Sequence, residues 1–332
     1  MSPSSMPVVL FVGSSGRSGS TLFDVLLQQV PGFVSVGELR HVFTRSIFRN
    51  QACGCGAKFW DCPFWNEVIL RAFGPRNSFD PEAMWEDARP RIARKGIRFG
   101  AAALWFGSRA RGEGSERWIV RQAAIRERLY HAVAEVSGAR VIVDTSKMPE
   151  DAIVVSRVRG IQFRLLHLVR DPRGVAYSWS KPRTDPSEST RRMRRKGLLS
   201  SIEDWTTVNL IYEILCAEWP HLRVRYEDLI DDPSKWLHRA LEYAVPKSSG
   251  PGQPDRPPSL AREELGFLRG RTAQIGETHT VSGNPLRFHQ GPLELAVDDK
   301  WRSALSSGSR ATITLATAPL LARYGYGLMN GA

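Results

Sequence analysis

Between Gly13 and Thr21 the chain reads Gly-Ser-Ser-Gly-Arg-Ser-Gly-Ser-Thr, a glycine- and hydroxyl-rich loop with a single cation. Glycines let backbone N–H groups approach a ligand closely, and Ser20, Thr21 and Arg17 add donors and charge, so the loop reads as a phosphate cradle. Two familiar versions are not matched. A Walker A loop, G-x-x-x-x-G-K-[ST], needs a lysine where Ser20 stands, and the G-x-G-x-x-G dinucleotide fingerprint fails because Gly13, Gly16 and Gly19 fall three apart. Glu38 keeps a nicotinamide reading open, since it sits near where a Rossmann protein holds a ribose. The bland alternative is a structural glycine turn.

Elements on either side of this loop must position it. Val8 to Val12 suits a buried parallel strand, and Leu22, Val25, Leu26 and Val30 have helical spacing. Phe33 to Val36 reads as a second strand, Val141 to Asp144 as a third and Arg164 to Val169 as a fourth. Asp151 to Val158 is a helix between them, with Pro149 near its start. A helix from Trp205 to Trp219, a strand from Leu222 to Arg225, an acidic turn from Glu227 to Asp232 and a helix after Pro233 follow. This βαβ order predicts an α/β fold, a P-loop-like parallel sheet with helices on both faces. Ligands of such sheets bind beyond the strand C-termini, where Arg17, Glu38, Asp144 to Lys147 and Arg170 all fall. One crevice would then hold three cations and a carboxylate. The competing readings are ordinary pairs: Arg170 with Asp171, Lys147 with Asp144, and Glu38 with Arg40.

At 332 residues with a formal net charge of +12 the chain suits a soluble enzyme with an anionic ligand. There is no internal repeat and no basic stripe interleaved with aromatics, so nucleic acid is not implied. The apolar stretch near Ala101 to Phe106 is too short to span a bilayer, and a cytoplasmic protein is expected.

Taken together, these segments resemble the sulfotransferases that use 3′-phosphoadenosine 5′-phosphosulfate. Gly16 to Leu22 is similar to that family's 5′-phosphosulfate loop. Leu168 to Ser178 is similar to its 3′-phosphate segment, in which Arg170 and Ser178 would hold the phosphate. Val143 to Lys147, Val224 to Leu229 and Ser282 to Phe288 resemble further family elements in the same order. The arginine in the loop brings the chain nearer the bacterial and tyrosylprotein branches than the cytosolic one. The resemblance implies one sulfotransferase domain over residues 1–332, with a helical insertion at about 41–135 and a cofactor-capping loop and helices at about 259–332. It implies sulfuryl transfer to a hydroxyl or amine of a small molecule, glycan or lipid, without a metal. Gly16, Arg17, Ser18, Gly19, Ser20 and Thr21 would cradle the phosphosulfate. Lys147 would meet the leaving oxygen, and Glu38, in Val36-Gly37-Glu38-Leu39-Arg40, would act as general base. Tyr226 would lie near the nucleotide, Ser282 near its 5′ side, and Arg287 would clamp the 3′-phosphate. A P-loop kinase, a nicotinamide reductase and a non-catalytic nucleotide-binding module remain the rivals.

Several features stand outside that pattern. Cys53, Cys55 and Cys62 invite a zinc reading with His41 as fourth ligand, but the spacing is atypical, and a disulfide or reduced loop thiols is the preferred expectation. Cys216 reads as a helix-core residue. His41, His279 and His289 are placed in loops. Arg191 to Lys196 is a basic run that could act as a lid over an acidic acceptor. Residues 75–130 look largely helical, and 246–258, rich in Pro, Gly and Ser, read as a connector.

Overall fold

The apolar run before the glycine loop is the middle strand of a parallel sheet. In the computed structural model, which describes residues 6–89, 116–182, 184–185, 188–192, 195–245 and 265–328, strand β1 (Val8–Gly13) is buried along its whole length. β2 (Phe33–Gly37), β3 (Val141–Lys147), β4 (Gln162–Val169) and β5 (His221–Arg225) complete the sheet in the order β2-β3-β1-β4-β5. All its pairings are parallel. That order separates β1 from β2 by β3, unlike the 3-2-1-4-5-6 order of a Rossmann domain.

Alternating side chains of β1 enter two different cores, as a period of two requires. Val9 and Phe11 join Val34, Val36, Ile142 and Leu165 in one core layer. Against it pack α2 (Pro63–Phe73), α3 (Pro81–Ala88), α4 (Glu116–Ser137), α5 (Pro149–Ser156) and α7 (Leu198–Glu218), while α6 (Pro172–Ser180) packs against α7. Val8, Leu10 and Val12 join Val141, Val143, Leu166 and Leu168 on the other face, under α1 (Ser20–Leu27) and α9 (Pro233–Ala244). Proline opens α2, α5, α6 and α9, where its missing N–H goes unused, and Asp171 and Asp232 cap α6 and α9 by accepting from Arg173 and Lys235 N–H.

Two expectations change, and one contact is new. The acidic stretch 227–232 is not a turn but mostly helix: α8 spans Tyr226–Asp231 with Glu227 and Asp228 in its first turn, where carboxylates suit the helix dipole. The helix expected from Trp205 starts a full two turns earlier, at Leu198. Beyond β2, the segment around Val281 docks as an extra parallel edge: Val281 N–H donates to Val36 C=O (3.0 Å) and Glu38 N–H to Val281 C=O (2.9 Å). A chain segment some 240 residues downstream therefore fixes the backbone of Glu38. The connector at 246–258 and the apolar stretch at 101–106 lie outside the described residues, as does residues 90–115 of the region expected to be helical. Among the described residues, no helix is long and apolar enough to cross a membrane.

Candidate active site

The loop after β1 turns sharply to aim the N-terminus of α1 at the strand ends. Gly19 adopts φ +91°, and a Cβ there would lie 2.3 Å from the Tyr226 ring, so no larger residue fits. α1 has neither a side-chain cap nor an acidic residue in its first turn, so the positive end of its dipole is left for a ligand. Arg17 has its guanidinium 4.8 Å over the ring of Trp179. Ser18 differs from expectation: its side chain is buried and shares a 2.8 Å hydrogen bond with Ser15 Oγ, away from the cavity that Ser20 and Thr21 line.

Glu38 and Lys147 meet across the ends of β2 and β3, where Lys147 Nζ donates to Glu38 Oε1. Lys147 holds φ +72°, its carbonyl pinned by Ser14 N–H (3.0 Å) and by the Tyr212 hydroxyl. Among the described residues four non-glycines have positive φ, and Arg17, Lys147 and Ser282 are three of them. Such conformations cost on the order of 1–3 kcal/mol each and persist where surrounding contacts impose them. Burial alone would raise the Glu38 carboxyl, but Lys147, His41 and Arg45 outweigh it and hold it down at about 2. His41 Nε2 lies 3.7 Å from Glu38 Oε2, and burial, reinforced by Arg45, Arg40 and Lys147, keeps this imidazole well below its ordinary value.

None of the ordinary pairings is found. Asp144 lies behind the sheet end, bonded to Arg126 Nη1 (3.0 Å) and the Tyr130 hydroxyl (2.6 Å), and not to Lys147. Arg40 pairs with Glu150 (3.3 Å) and Asp151 (2.8 Å), and not with Glu38. Asp171 takes Arg173 in a bidentate pair (2.9 and 2.7 Å). Arg170 is left to face the cavity, with its Nη1 on Arg17 C=O (3.2 Å), its Nη2 3.4 Å from Asp298 Oδ2, and its guanidinium 4.5 Å over the Tyr226 ring.

A single cavity of about 740 Å³ gathers Gly16, Arg17, Gly19, Ser20, Thr21, Glu38, Lys147, Arg170, Ser178 and Tyr226. Its wall carries six cationic side chains and four carboxylates, a balance suited to an anion. Two other expected residues are elsewhere. Arg287 is 4% exposed and bonds through its guanidinium to Thr280 C=O (2.9 Å) and Ala52 C=O (2.8 Å), bracing two loops in this structure. Ser282 is buried and accepts from Arg45 Nη1 (2.7 Å), so it orients Arg45 at the wall. Residues the sequence did not single out also line the cavity: Arg45, Trp179, Asp204 and Asp298. Trp179 could have been found from its place beside Ser178, whereas Arg45 and Asp298 sit in segments with no motif. Lys196, the last residue of the basic run, lines the cavity too, paired with Asp204 and 4.2 Å over the Trp179 ring. Residues 193–194 of that run lie outside the described residues.

Comparison with solved structures places this architecture. The sulfotransferase domain of the Synechococcus PCC 7002 olefin synthase superposes with a TM-score of 0.51 at 20% identity, covering 98% of each chain. The chain has the sulfotransferase fold. A sulfotransferase domain from the curacin biosynthetic pathway matches with a TM-score of 0.49 at 16% identity, covering 98% of this chain and 100% of that one. A Mycobacterium avium sulfotransferase matches with a TM-score of 0.47 at 14% identity over 98% of this chain and 78% of that one. No protein-family model matches the sequence, and no curated protein matches it.

Proposed function

We propose that the protein is a sulfotransferase, moving a sulfuryl group from 3′-phosphoadenosine 5′-phosphosulfate to a hydroxyl or amine of a small molecule, glycan or lipid. The observation that carries this reading is the meeting of Arg170 and Ser178 with the Arg17 loop, Lys147 and Glu38 in one cavity. The donor set fits a nucleotide with two separate anionic groups. One set of donors is the loop with the N-terminus of α1, and the other is Arg170 with Ser178, the two joined by the Arg170 bond to Arg17 C=O. The same reading treats residues 1–332 as one domain.

When bound, the donor supplies a sulfuryl group whose departure leaves negative charge on the 5′-phosphate oxygen. Arg17 and the amides of residues 16–21 bind and orient that end, as fixed dipoles that need no rearrangement. Arg170 and Ser178 hold the 3′-phosphate, and the Arg170 contact with Asp298 is given up to do so. Lys147 supplies the cation for the growing charge. Its withdrawal from Glu38 removes the strongest influence holding that carboxyl at about 2, so Glu38 becomes more basic as it is freed to take the acceptor proton. The pair is thus a resting state that ligand binding dismantles. A P-loop kinase would need the loop lysine that this chain lacks.

Calorimetry with 3′,5′-adenosine bisphosphate and with 5′-AMP tests the reading. A strong preference for the bisphosphate that Arg170→Ala abolishes supports it. Equal affinity for the two, or no binding, overturns it.

A further inference from the structure

We propose that Cys53, Cys55, Cys62 and His279 form a tetrahedral zinc site that ties the C-terminal loop to the wall of the catalytic cavity. Their ligand atoms all lie within 4.8 Å of one another. Cys55 Sγ and Cys62 Sγ are 3.8 Å apart, and His279 Nδ1 is 3.4 Å from Cys62 Sγ and 3.8 Å from Cys53 Sγ. A zinc ion with Zn–S of about 2.3 Å and Zn–N of about 2.0–2.1 Å in a tetrahedron sets S···S edges of about 3.8 Å and S···N edges of about 3.6 Å. The four donors therefore already outline the polyhedron. A disulfide would explain two sulfurs close together. It would not bring a third sulfur and an imidazole nitrogen to the same point.

The surroundings are those of a structural site. Cys53 and Cys62 are buried, and Cys55 and His279 are half-buried. His279 turns Nδ1 to the sulfurs and Nε2 towards Glu277 (3.5 Å), the carboxylate that commonly orients a metal-bound histidine. Its ring stacks on Phe64 (4.8 Å between centroids, 10° between planes), and its carbonyl accepts from Trp65 Nε1 (2.6 Å). Gly54, between two of the cysteines, lies so close to the 278–280 segment that a Cβ would fall 2.2 Å from Thr278 Oγ1 and 2.8 Å from its carbonyl, while its N–H donates to Thr280 C=O (3.0 Å). His41, the fourth ligand suggested by sequence, is beside Glu38 instead. Three thiolates and one imidazole favour zinc over the harder divalent ions, and four protein ligands leave no open position, so the ion is structural.

Its place explains its use. Thr280, next to His279, also receives Arg287 Nη1; Val281 receives Glu38 N–H; Ser282 receives Arg45. The segment after β2 and the 278–288 segment thus meet within three residues of one ligand.

Metal analysis of the full-length protein, purified under reducing conditions without added chelator, should find one zinc per chain. Cys62→Ser and His279→Ala should lose it, and Cys216→Ser, on α7, should keep it. Because the ligand variants can fail to fold, the wild-type chain reconstituted with Co(II) serves as the second measurement. Thiolate charge-transfer bands and intense visible d–d bands would establish tetrahedral thiolate coordination. Absence of zinc with four titratable thiols would mean bare cysteines, and two titratable thiols in unreduced protein would mean a disulfide. Either result overturns the proposal, as would zinc retained in both ligand variants. None of these readouts depends on sulfuryl transfer, so failure here and failure of the functional reading are separable.

Discussion

Strand β3 ends in two charged residues, Asp144 and Lys147, whose settings are opposite. Asp144 is fully buried, and its oxygens are taken by Arg126, the Tyr130 hydroxyl and Ser146 N–H (2.7 Å). Arg126 goes on to Asp151 (3.2 Å), so Asp144 and its cation are both satisfied within the fold, and Arg40, at the far end of the chain of pairs, reaches the cavity wall. Lys147 has the Glu38 carboxylate, a strained backbone and a cavity in front of it. The contrast separates scaffold from chemistry on one strand. A buried pair such as Asp144 with Arg126 gains nothing from a ligand, whereas an ion pair at a cavity wall can be exchanged for one.

Breaking the closed side should give the largest effect. Arg126→Met leaves Asp144 buried without its cation, and breaking a buried pair on one side costs about 3–5 kcal/mol. Chemical denaturation should show that loss, while the folded fraction keeps its affinity for nucleotide. A change below about 1 kcal/mol would mean that the network is not the scaffold described. Lys147→Ala tests the open side and should lower kcat by about 100- to 1000-fold, while also removing at neutral pH the stability that pairing with Glu38 supplies. It also carries a pH signature. Glu38 is depressed to about 2 in the folded chain, so its pairing stabilises the fold above its ordinary value near 4.5 and that contribution is lost as pH falls towards 2. The variant's acid unfolding should lose this component, which a purely catalytic lysine would leave intact.

Arg170→Ala sharpens the comparison at the opposite wall. Hydrogen bonds to charged groups are worth about 1.5–3 kcal/mol, so bisphosphate affinity should fall roughly 10- to 100-fold while 5′-AMP binding changes little. A uniform loss for both nucleotides would show that the arginine braces the Arg17 loop and does not read the 3′-phosphate.

What the sequence made legible follows the range of the interactions. Arg17, Glu38, Lys147 and Arg170 were readable because each lies at or shortly beyond the C-terminal end of a strand, and strand ends converge in any parallel sheet. The fold was readable for the same reason, since alternation along β1 and proline-led helices are local signals. Side-chain direction was not: Ser18 lies among true cavity residues yet turns inward to Ser15. Nor were partners far apart in the chain. Arg287 is spent on Ala52 C=O, 235 residues away, and the histidine that faces Cys62 is 217 residues from it, so spacing pointed to the nearer His41. The extra edge at Val281 places both, and no local pattern announces it.

The smallest effect is expected beneath the loop, at a carboxyl that belongs to neither class. Asp24 on α1 is 2% exposed and accepts from Ser35 Oγ; burial raises it to about 7, although Ser35 and Lys147 pull the other way. The unfolded chain releases this proton near its ordinary value of 3.8, so between there and about 7 the folded state binds more protons and stability falls as pH rises. From pH 6 to pH 8 that one group removes about 1 kcal/mol, because the folded carboxyl ionises over that window while the unfolded one is already ionised. Asp24→Asn should flatten this part of the pH–stability curve and become the more stable form at pH 8. An unchanged slope would mean that Asp24 stays ionised in the fold, sharing the Lys147 charge with Glu38, and the open side of β3 would then hold one cation between two carboxylates.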